Sequence, residues 1–150
     1  MKSLFSLDLP QTETQVQPIE RLYDLWLRSS QQMRLLSVGN MIKYVHVIQP
    51  NLYYSKHIFS ETERAIALSL PREHDYRIGI ENGYPLLVAR RTELGTQHIS
   101  SAIDLFDEIT EDVYGDNCCH LNARGETLFA QYVAELAAKR GFQQQLTIVW

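Results

Sequence analysis

The residues best placed to do chemistry lie in segment 113–125, Val-Tyr-Gly-Asp-Asn-Cys-Cys-His-Leu-Asn-Ala-Arg-Gly. Asp116 stands four residues before His120, and a histidine that acts as a general base needs a carboxylate to fix its tautomer and to stabilise the imidazolium. Asn122 can cap a helix that is expected over 125–140. Because a lone loop histidine is often satisfied by a backbone carbonyl, the Asp-x-x-x-His spacing alone is a weak signal for an acid–base site.

Other reactive residue types give weaker signals. Cys118 and Cys119 suggest a cysteine–histidine nucleophile, but sequence neighbours seldom provide that geometry and small buried thiols are commoner. Tyr53-Tyr54 could line a substrate cleft but more often such a pair covers a sheet edge. His46 alternates with valines and is expected in the core or on a sheet face. The other histidines are His57, His74 and His98. Since they share no spacing typical of metal ligands, we predict neither a metal nor a cofactor.

Composition narrows the class of protein. With 150 residues, 45% of them apolar and 21% charged, the chain suits one soluble globular domain with a sizeable core. A net charge of −4 argues against a nucleic-acid surface, and no basic run or long apolar stretch suggests a membrane contact. The amino terminus is a poor signal peptide, and the two adjacent cysteines cannot join distant parts of the fold. We therefore expect a cytoplasmic protein that binds neither nucleic acid nor membrane.

A polar arm, a helix and a strand are predicted in the first third of the chain. Residues 1–17 are polar and lack a period, so they are predicted to form an arm. An amphipathic helix of about five turns should begin at Pro18 and end at Gly39-Asn40. Its inward residues would be Ile19, Leu22, Trp26, Met33 and Leu36. The apolar run 42–48 suits a strand of a parallel sheet, and the loop 49–56 leaves the carboxyl end of that strand.

Two helices should follow. Ser60-Glu-Thr-Glu63 has the spacing of a capping box and should start a short helix that reaches about Leu70. A third helical pattern begins near Glu73 and ends at Gly95, with Pro85 predicting either a kink or two successive helices. Its inward residues would be Tyr76, Ile80, Leu87 and Leu94, with Gly83 permitting close approach.

The final elements complete an alternating order. A second buried strand is expected over 98–105, and a tail with β character over 141–150. The inward residues of the last helix would be Leu128, Tyr132, Val133 and Leu136. The order helix, strand, helices, strand, loop, helix predicts βαβ connectivity, a parallel sheet and hence the α/β class. A sheet of only two strands would be marginal alone.

The histidine loop and several other segments resemble the SGNH (GDSL-type) hydrolases. Cys-His-Leu-Asn-x-x-Gly over 119–125, with Asp116 and the following helix, is similar to the closing segment of that family, which carries the acid and base of a Ser-His-Asp triad. Further segments are similar in the same order, so that the resemblance covers roughly residues 19–140. They are 25–33 (Leu-Trp-Leu-Arg-Ser-Ser-Gln-Gln-Met), 44–51 (Tyr-Val-His-Val-Ile-Gln-Pro-Asn), 60–63, 83–87 and 103–105.

The resemblance implies a partial flavodoxin-like three-layer α/β/α fold. Residues 18–140 would be the carboxyl half of that fold, with the last two strands of its parallel sheet. His120 matches the base, but the family's acid usually stands three residues earlier, where this chain has Asn117. Either the loop bulges so that Asp116 reaches His120, or the acid is lost; we favour Asp116. An amide lacks the compensating charge, and such a replacement can cost roughly four decades in rate.

The family's nucleophile block, Gly-Asp-Ser, has no counterpart here. Gly39-Asn40 is not the family's Gly-x-Asn block, because it precedes the strand, and Ser100 and Ser101 lie inside a predicted strand. Two functions are therefore considered. The first is an acyl-ester hydrolase of which this chain is the His120/Asp116 half, inactive alone and completed by an amino-half chain. The second is a non-catalytic module that associates, as a homo-oligomer or with a complementing strand, through an exposed sheet edge that residues 146–150 could also cover.

Overall fold

A computed structural model of the chain describes residues 16–91 and 98–141, with side chains from residue 19 onward. Four helices and two strands make up this part of the chain, with a short 3₁₀ turn at Leu52–Tyr54 after the first strand. The elements are α1 (Val16–Gly39), β1 (His46–Ile48), α2 (Glu61–Ala67), α3 (Asp75–Arg90), β2 (Ile99–Ser101) and α4 (Ala123–Lys139). The order is the predicted one. The predicted arm 1–17 and tail 141–150 lie almost wholly outside the described residues, but α1 already begins at Val16.

The two strands form a parallel sheet, which confirms the predicted α/β class and strand direction. His46 is opposite Ile99, and Ile48 is opposite Ser101. Both strands are shorter than the predicted runs 42–48 and 98–105. After the backbone N–H of Ala102 donates to the Ile48 carbonyl at 2.8 Å, the chain leaves the sheet in a series of turns.

The inward face predicted for α1 is wrong in most of its members. Leu27 and Ser30 are buried, whereas three of the predicted residues are more than half exposed: Leu22, Met33 and Leu36. The apolar residues of α1 extend around more of the helix than its neighbours in the described chain can cover. Periodicity therefore identified the helix but could not identify which of its sides has a packing partner.

Helix α3 is one continuous helix with Pro85 inside it, so the alternative of two successive helices is wrong. Proline lacks the N–H that would bond the carbonyl one turn earlier, so α3 continues through Pro85 without that hydrogen bond. The close approach predicted at Gly83 is confirmed, because a Cβ there would overlap the hydroxyl of Tyr23 from α1. The helix ends at Arg90, and the predicted contribution of Leu94 falls outside the described residues.

The core has two parts. One lies between α1, α3 and the sheet and contains Leu27, Ile48, Leu87, Ile99 and Ile103. The other lies beneath the predicted site loop and contains Leu52, Ala67, Phe106, Val113 and Tyr114. The second part gives the loop a packed base. Across residues 16–91 and 98–141, no helix has the length and hydropathy needed to cross a membrane.

Candidate active site

The loop that carries the candidate residues is closed at its base by backbone hydrogen bonds. Tyr114 and Leu121 form an antiparallel bridge. The N–H of Gly115 donates to the His120 carbonyl at 2.9 Å, and the N–H of Asn122 donates to the Val113 carbonyl at 2.9 Å. These bonds make a narrow loop whose tip consists of residues 116–119.

Asp116 and His120 are brought together at that tip. One carboxylate oxygen, Oδ1, accepts the backbone N–H groups of Cys118 at 2.9 Å and of Cys119 and His120 at 3.2 Å each. The other oxygen, Oδ2, is in close contact with Nδ1 of His120. The loop thus folds around the aspartate, which is how a residue four positions before the histidine reaches it. The side chain of Asn117 points elsewhere and donates to Ser69 Oγ at 2.8 Å.

The two groups shift each other's ionisation in opposite directions. Desolvation acts to raise the pKa of Asp116, but the hydrogen bonds from the His120 ring and from the backbone N–H groups of Cys118 and His120 lower it to about 2. The hydrogen bond and the negative charge of Asp116 raise the pKa of His120. Asp116 is therefore a carboxylate at neutral pH, and it fixes Nδ1–H of the imidazole as the donor. The His120 side chain is 76% exposed, so Nε2 faces solvent.

Glu63 anchors the base of the loop from α2. The predicted capping role of Ser60 is confirmed, since its hydroxyl accepts the N–H of Glu63 at 3.0 Å. The glutamate side chain does not return to the cap. Its Oε1 accepts the N–H groups of Val113 and Tyr114 at 2.7 Å each, and its Oε2 bonds Nε2 of His57 at 2.8 Å.

A second anchor comes from α3. The hydroxyl of Tyr76 donates to the carbonyl of Cys118 and accepts the amide of Asn51 at 2.9 Å. Asn51 lies three residues after the end of β1, so the loop is tied to the carboxyl end of the sheet, where open α/β sheets usually place their ligands. Tyr53 and Tyr54 are partly buried and pack against the core: the Tyr53 ring faces Tyr76, and the Tyr54 ring packs on Tyr84.

Asn122 and Gly125 join the loop to α4. The side chain of Asn122 accepts the N–H groups of Arg124 at 2.9 Å and of Gly125 at 3.0 Å, as predicted for the N-cap. The helix starts two residues earlier than expected, at Ala123. A Cβ on Gly125 would overlap the carbonyl oxygen of Val113, so the glycine allows the first turn of the helix to lie against the loop.

Within residues 16–91 and 98–141, no serine or cysteine side chain bonds the His120 ring as a nucleophile would. In that part of the chain, the His120 ring bonds only Asp116. The hydroxyl of Ser100 accepts from Arg140 at 2.8 Å, and Ser101 lies in β2 with it. The sulfur atoms of Cys118 and Cys119 lie 3.6 Å apart and bond each other instead of the imidazole.

A serine–histidine contact lies elsewhere in the fold, and it was not predicted from the sequence. Ser30 Oγ lies 2.8 Å from Nδ1 of His46 and 3.2 Å from Nε2 of His98. Ser30 is buried, and no carboxylate of the described chain bonds either ring. The three side chains form a hydrogen-bonded polar network in which Ser30 and His98 are buried and His46 is partly buried. The only sequence signal for it was a serine in an otherwise apolar helical stripe.

Within the described ranges, no three His, Cys, Asp or Glu side chains converge in a way that could hold a metal ion. Comparison of the chain with protein-family models, with curated proteins and with solved structures gave no match.

Proposed function

We propose that this chain supplies the acid–base half of an SGNH-type ester hydrolase, acting on a small acyl ester. His120 is the general base and Asp116 its orienting carboxylate. The observation that carries the proposal is the bond from Asp116 to Nδ1 of His120 on an anchored loop, with Nε2 open to solvent. The two parallel strands would be the last two of a flavodoxin-like three-layer fold.

The chemistry follows from this arrangement. Neutral His120 donates Nδ1–H to Asp116 and presents the lone pair of Nε2. It accepts the hydroxyl proton of a serine as the serine oxygen bonds the acyl carbon, and Asp116 stabilises the imidazolium that forms. His120 then returns the proton to the departing alkoxide. Water repeats the same steps to release the acid.

A separate amino-half segment would supply the serine and the oxyanion donors. Exposed apolar side chains on and after α1 support such a partner, because contiguous exposed apolar surface commonly marks an interaction site. They are Leu22, Leu25, Met33, Leu35, Leu36, Val38, Met41 and Ile42.

Hydrolysis of p-nitrophenyl acetate tests the proposal with the chain as it is, since His120 can take a proton from a water molecule that attacks an activated ester without the serine or the oxyanion hole. We expect slow hydrolysis that His120→Ala returns to the uncatalysed rate and Asp116→Asn reduces. The matched control is His74→Ser, which removes the other exposed histidine but keeps an acceptor for the cap of α3. Equal rates for the wild-type chain and His120→Ala would refute the role of His120.

Intact-mass measurement after exposure to a fluorophosphonate probe tests the missing nucleophile. We expect no stoichiometric adduct, because a base without a serine cannot be phosphonylated in this way. An adduct that is lost in His120→Ala would mean that a serine of this chain is activated, and would contradict the need for an amino-half partner.

A second candidate function is association with another copy of the chain through β1. The N–H of His46 and the carbonyl of Ile48 both bond the β2 side, so the N–H of Val47 between them faces the other edge. Val47→Pro removes that donor while keeping the bonds to β2. Light scattering after gel filtration should show a dimer that Val47→Pro converts to monomer; a monomer in both cases would refute self-pairing.

A further inference from the structure

A cavity of about 530 Å³ lies at the amino ends of the two strands, the opposite end of the sheet from the His120 loop. It is bounded by α1, by the segment that enters β1, by the residue before β2 and by the end of α4. Three cationic side chains line it: Arg34, Lys43 and Arg140. His98 and Tyr44 complete the polar part of its wall.

Positively charged side chains are gathered at this cavity although the chain as a whole has a net charge of −4. No carboxylate of the described residues lines the cavity. Arg140 donates from Nη2 to the neutral hydroxyl of Ser100 at 2.8 Å, and Lys43 donates to the carbonyl of Gly141. The neutral hydroxyl of Ser100 holds the guanidinium of Arg140 at the cavity without cancelling its charge.

The charged groups that act on His98 are also positive. Burial lowers the pKa of His98, and the positive charges of Arg34, His46 and Arg140 lower it further. Among the described groups that act on this ring, none is a carboxylate. Its Nε2 is held by Ser30 Oγ at 3.2 Å, so the ring has a fixed position in the wall.

We propose that this cavity binds the phosphate group of a small phosphate monoester. Arginine guanidinium groups form bidentate bonds with phosphate oxygens. Arg34 lies in α1 and Arg140 is the C-cap of α4, so the two arginines come from different elements. The volume falls within the range of about 300–1,000 Å³ typical of small-molecule sites. Val38 and Ile42 give the wall an apolar portion for the organic part of the ligand.

Isothermal titration of the full chain with inorganic phosphate and with glycerol 3-phosphate, at constant ionic strength, tests the inference. We expect saturable one-to-one binding of glycerol 3-phosphate, and Arg34→Gln should weaken it about tenfold by removing a charge-assisted contact. Arg140→Gln should weaken it similarly. The matched control is Arg72→Gln, an exposed arginine outside the cavity, which should leave binding unchanged.

The two ligands separate two sources of the same chemistry. Tighter binding of glycerol 3-phosphate identifies an organic monoester as the ligand class, whereas equal affinity leaves the phosphate group as the whole of the recognition. Absence of saturable binding for both ligands overturns the inference, as does an equal loss in Arg34→Gln and Arg72→Gln. If Arg140→Gln loses its helical circular dichroism, the Arg34→Gln titration decides alone.

Histidine ring signals in ¹H–¹³C NMR spectra locate the bound anion. Glycerol 3-phosphate should shift the signal of His98 and leave that of His120 in place. The reverse pattern would place the phosphate on the catalytic loop and refute the cavity.

Discussion

Nε2 of His57 lies 2.8 Å from Oε2 of Glu63, and both side chains are almost completely buried. Nδ1 of the same ring faces the carbonyl of Phe106 at 3.1 Å. The other oxygen of the Glu63 carboxylate holds the N–H groups of Val113 and Tyr114. The base of the candidate site therefore rests on a buried hydrogen-bonded pair, Glu63 and His57.

Glu63→Gln should destabilise the protein by about 3 kcal/mol, because it weakens the buried bonds that the carboxylate makes to the His57 ring and to the N–H groups of Val113 and Tyr114. The free energy of unfolding measured in urea checks this. Glu61→Gln is the matched control, since Glu61 is an exposed residue of the same first turn of α2, and should change it little. Similar small effects of both substitutions would mean that the Glu63 carboxylate does not anchor the base of the loop.

The Asp116–His120 pair predicts opposite pH dependences. The raised pKa of His120 gives a stabilising contribution that is complete below its unfolded value of about 6.5 and is lost as pH rises through the folded value. The pKa of Asp116, lowered to about 2, gives a contribution present above the unfolded value of about 3.9 and lost as pH falls toward the folded one. As a base, His120 should gain activity with rising pH.

An NMR titration of the His120 ring measures the first of these shifts. Asp116→Asn should return the midpoint to about 6.5, since the carboxylate that raises it is gone. Asp104→Asn removes a carboxylate from an exposed residue elsewhere and should leave the midpoint unchanged. An unaltered midpoint in Asp116→Asn would contradict the contact.

Sequence patterns were sufficient for the elements that are locally encoded. The N-caps Ser60 and Asn122 and the parallel direction of the strands follow from nearby residues or from chain order. For His120 the sequence favoured Asp116 as the partner but also allowed the loss of the acid, and only the folded loop brings the two side chains together. The hydrogen-bond partners of the Glu63 carboxylate could not be predicted in this way. The Ser-x-x-Glu spacing predicts a return to the cap, but its partners, Val113 and Tyr114, lie about fifty residues away in sequence.

The exposed side of α1 was unpredictable for a different reason. An apolar stripe indicates that a helix packs against something, but the identity of that neighbour depends on tertiary contacts. Leu27 and Ser30 face the sheet and α3, whereas Leu22 and Leu36 do not. The cavity at the amino ends of the strands is equally nonlocal, because Arg34 and Arg140 meet there only after the chain folds.

Tyr76→Phe should loosen the tip of the loop. Burial raises the pKa of Tyr76, so the hydroxyl stays protonated and donates to the Cys118 carbonyl. Its loss should lower the free energy of unfolding by about 1 kcal/mol and speed amide exchange at Cys118 and Cys119. Tyr54→Phe is the control, because no bond of its hydroxyl is found among the described residues. Equal exchange rates in both variants would contradict the anchoring role.

Gly125 and Gly79 separate close approach from helix propensity. Both glycines lie in helices, but a Cβ at 125 would overlap the Val113 carbonyl oxygen, whereas a Cβ at 79 meets nothing within 4 Å. Gly79→Ala should therefore raise the free energy of unfolding by about 0.5–1 kcal/mol through helix propensity alone. Gly125→Ala gains the same propensity but must move the loop away from α4, and should lower the free energy of unfolding by about 1–3 kcal/mol.

The same displacement should reach the candidate site, because Val113 is the residue that Glu63 holds. In Gly125→Ala, the His120 titration midpoint should move toward its ordinary value as the loop opens, while in Gly79→Ala it should stay where it is. Urea unfolding and the NMR titration, measured on the same two variants, check both effects. Stabilisation of the protein by both alanines would mean that the loop does not lie against the first turn of α4.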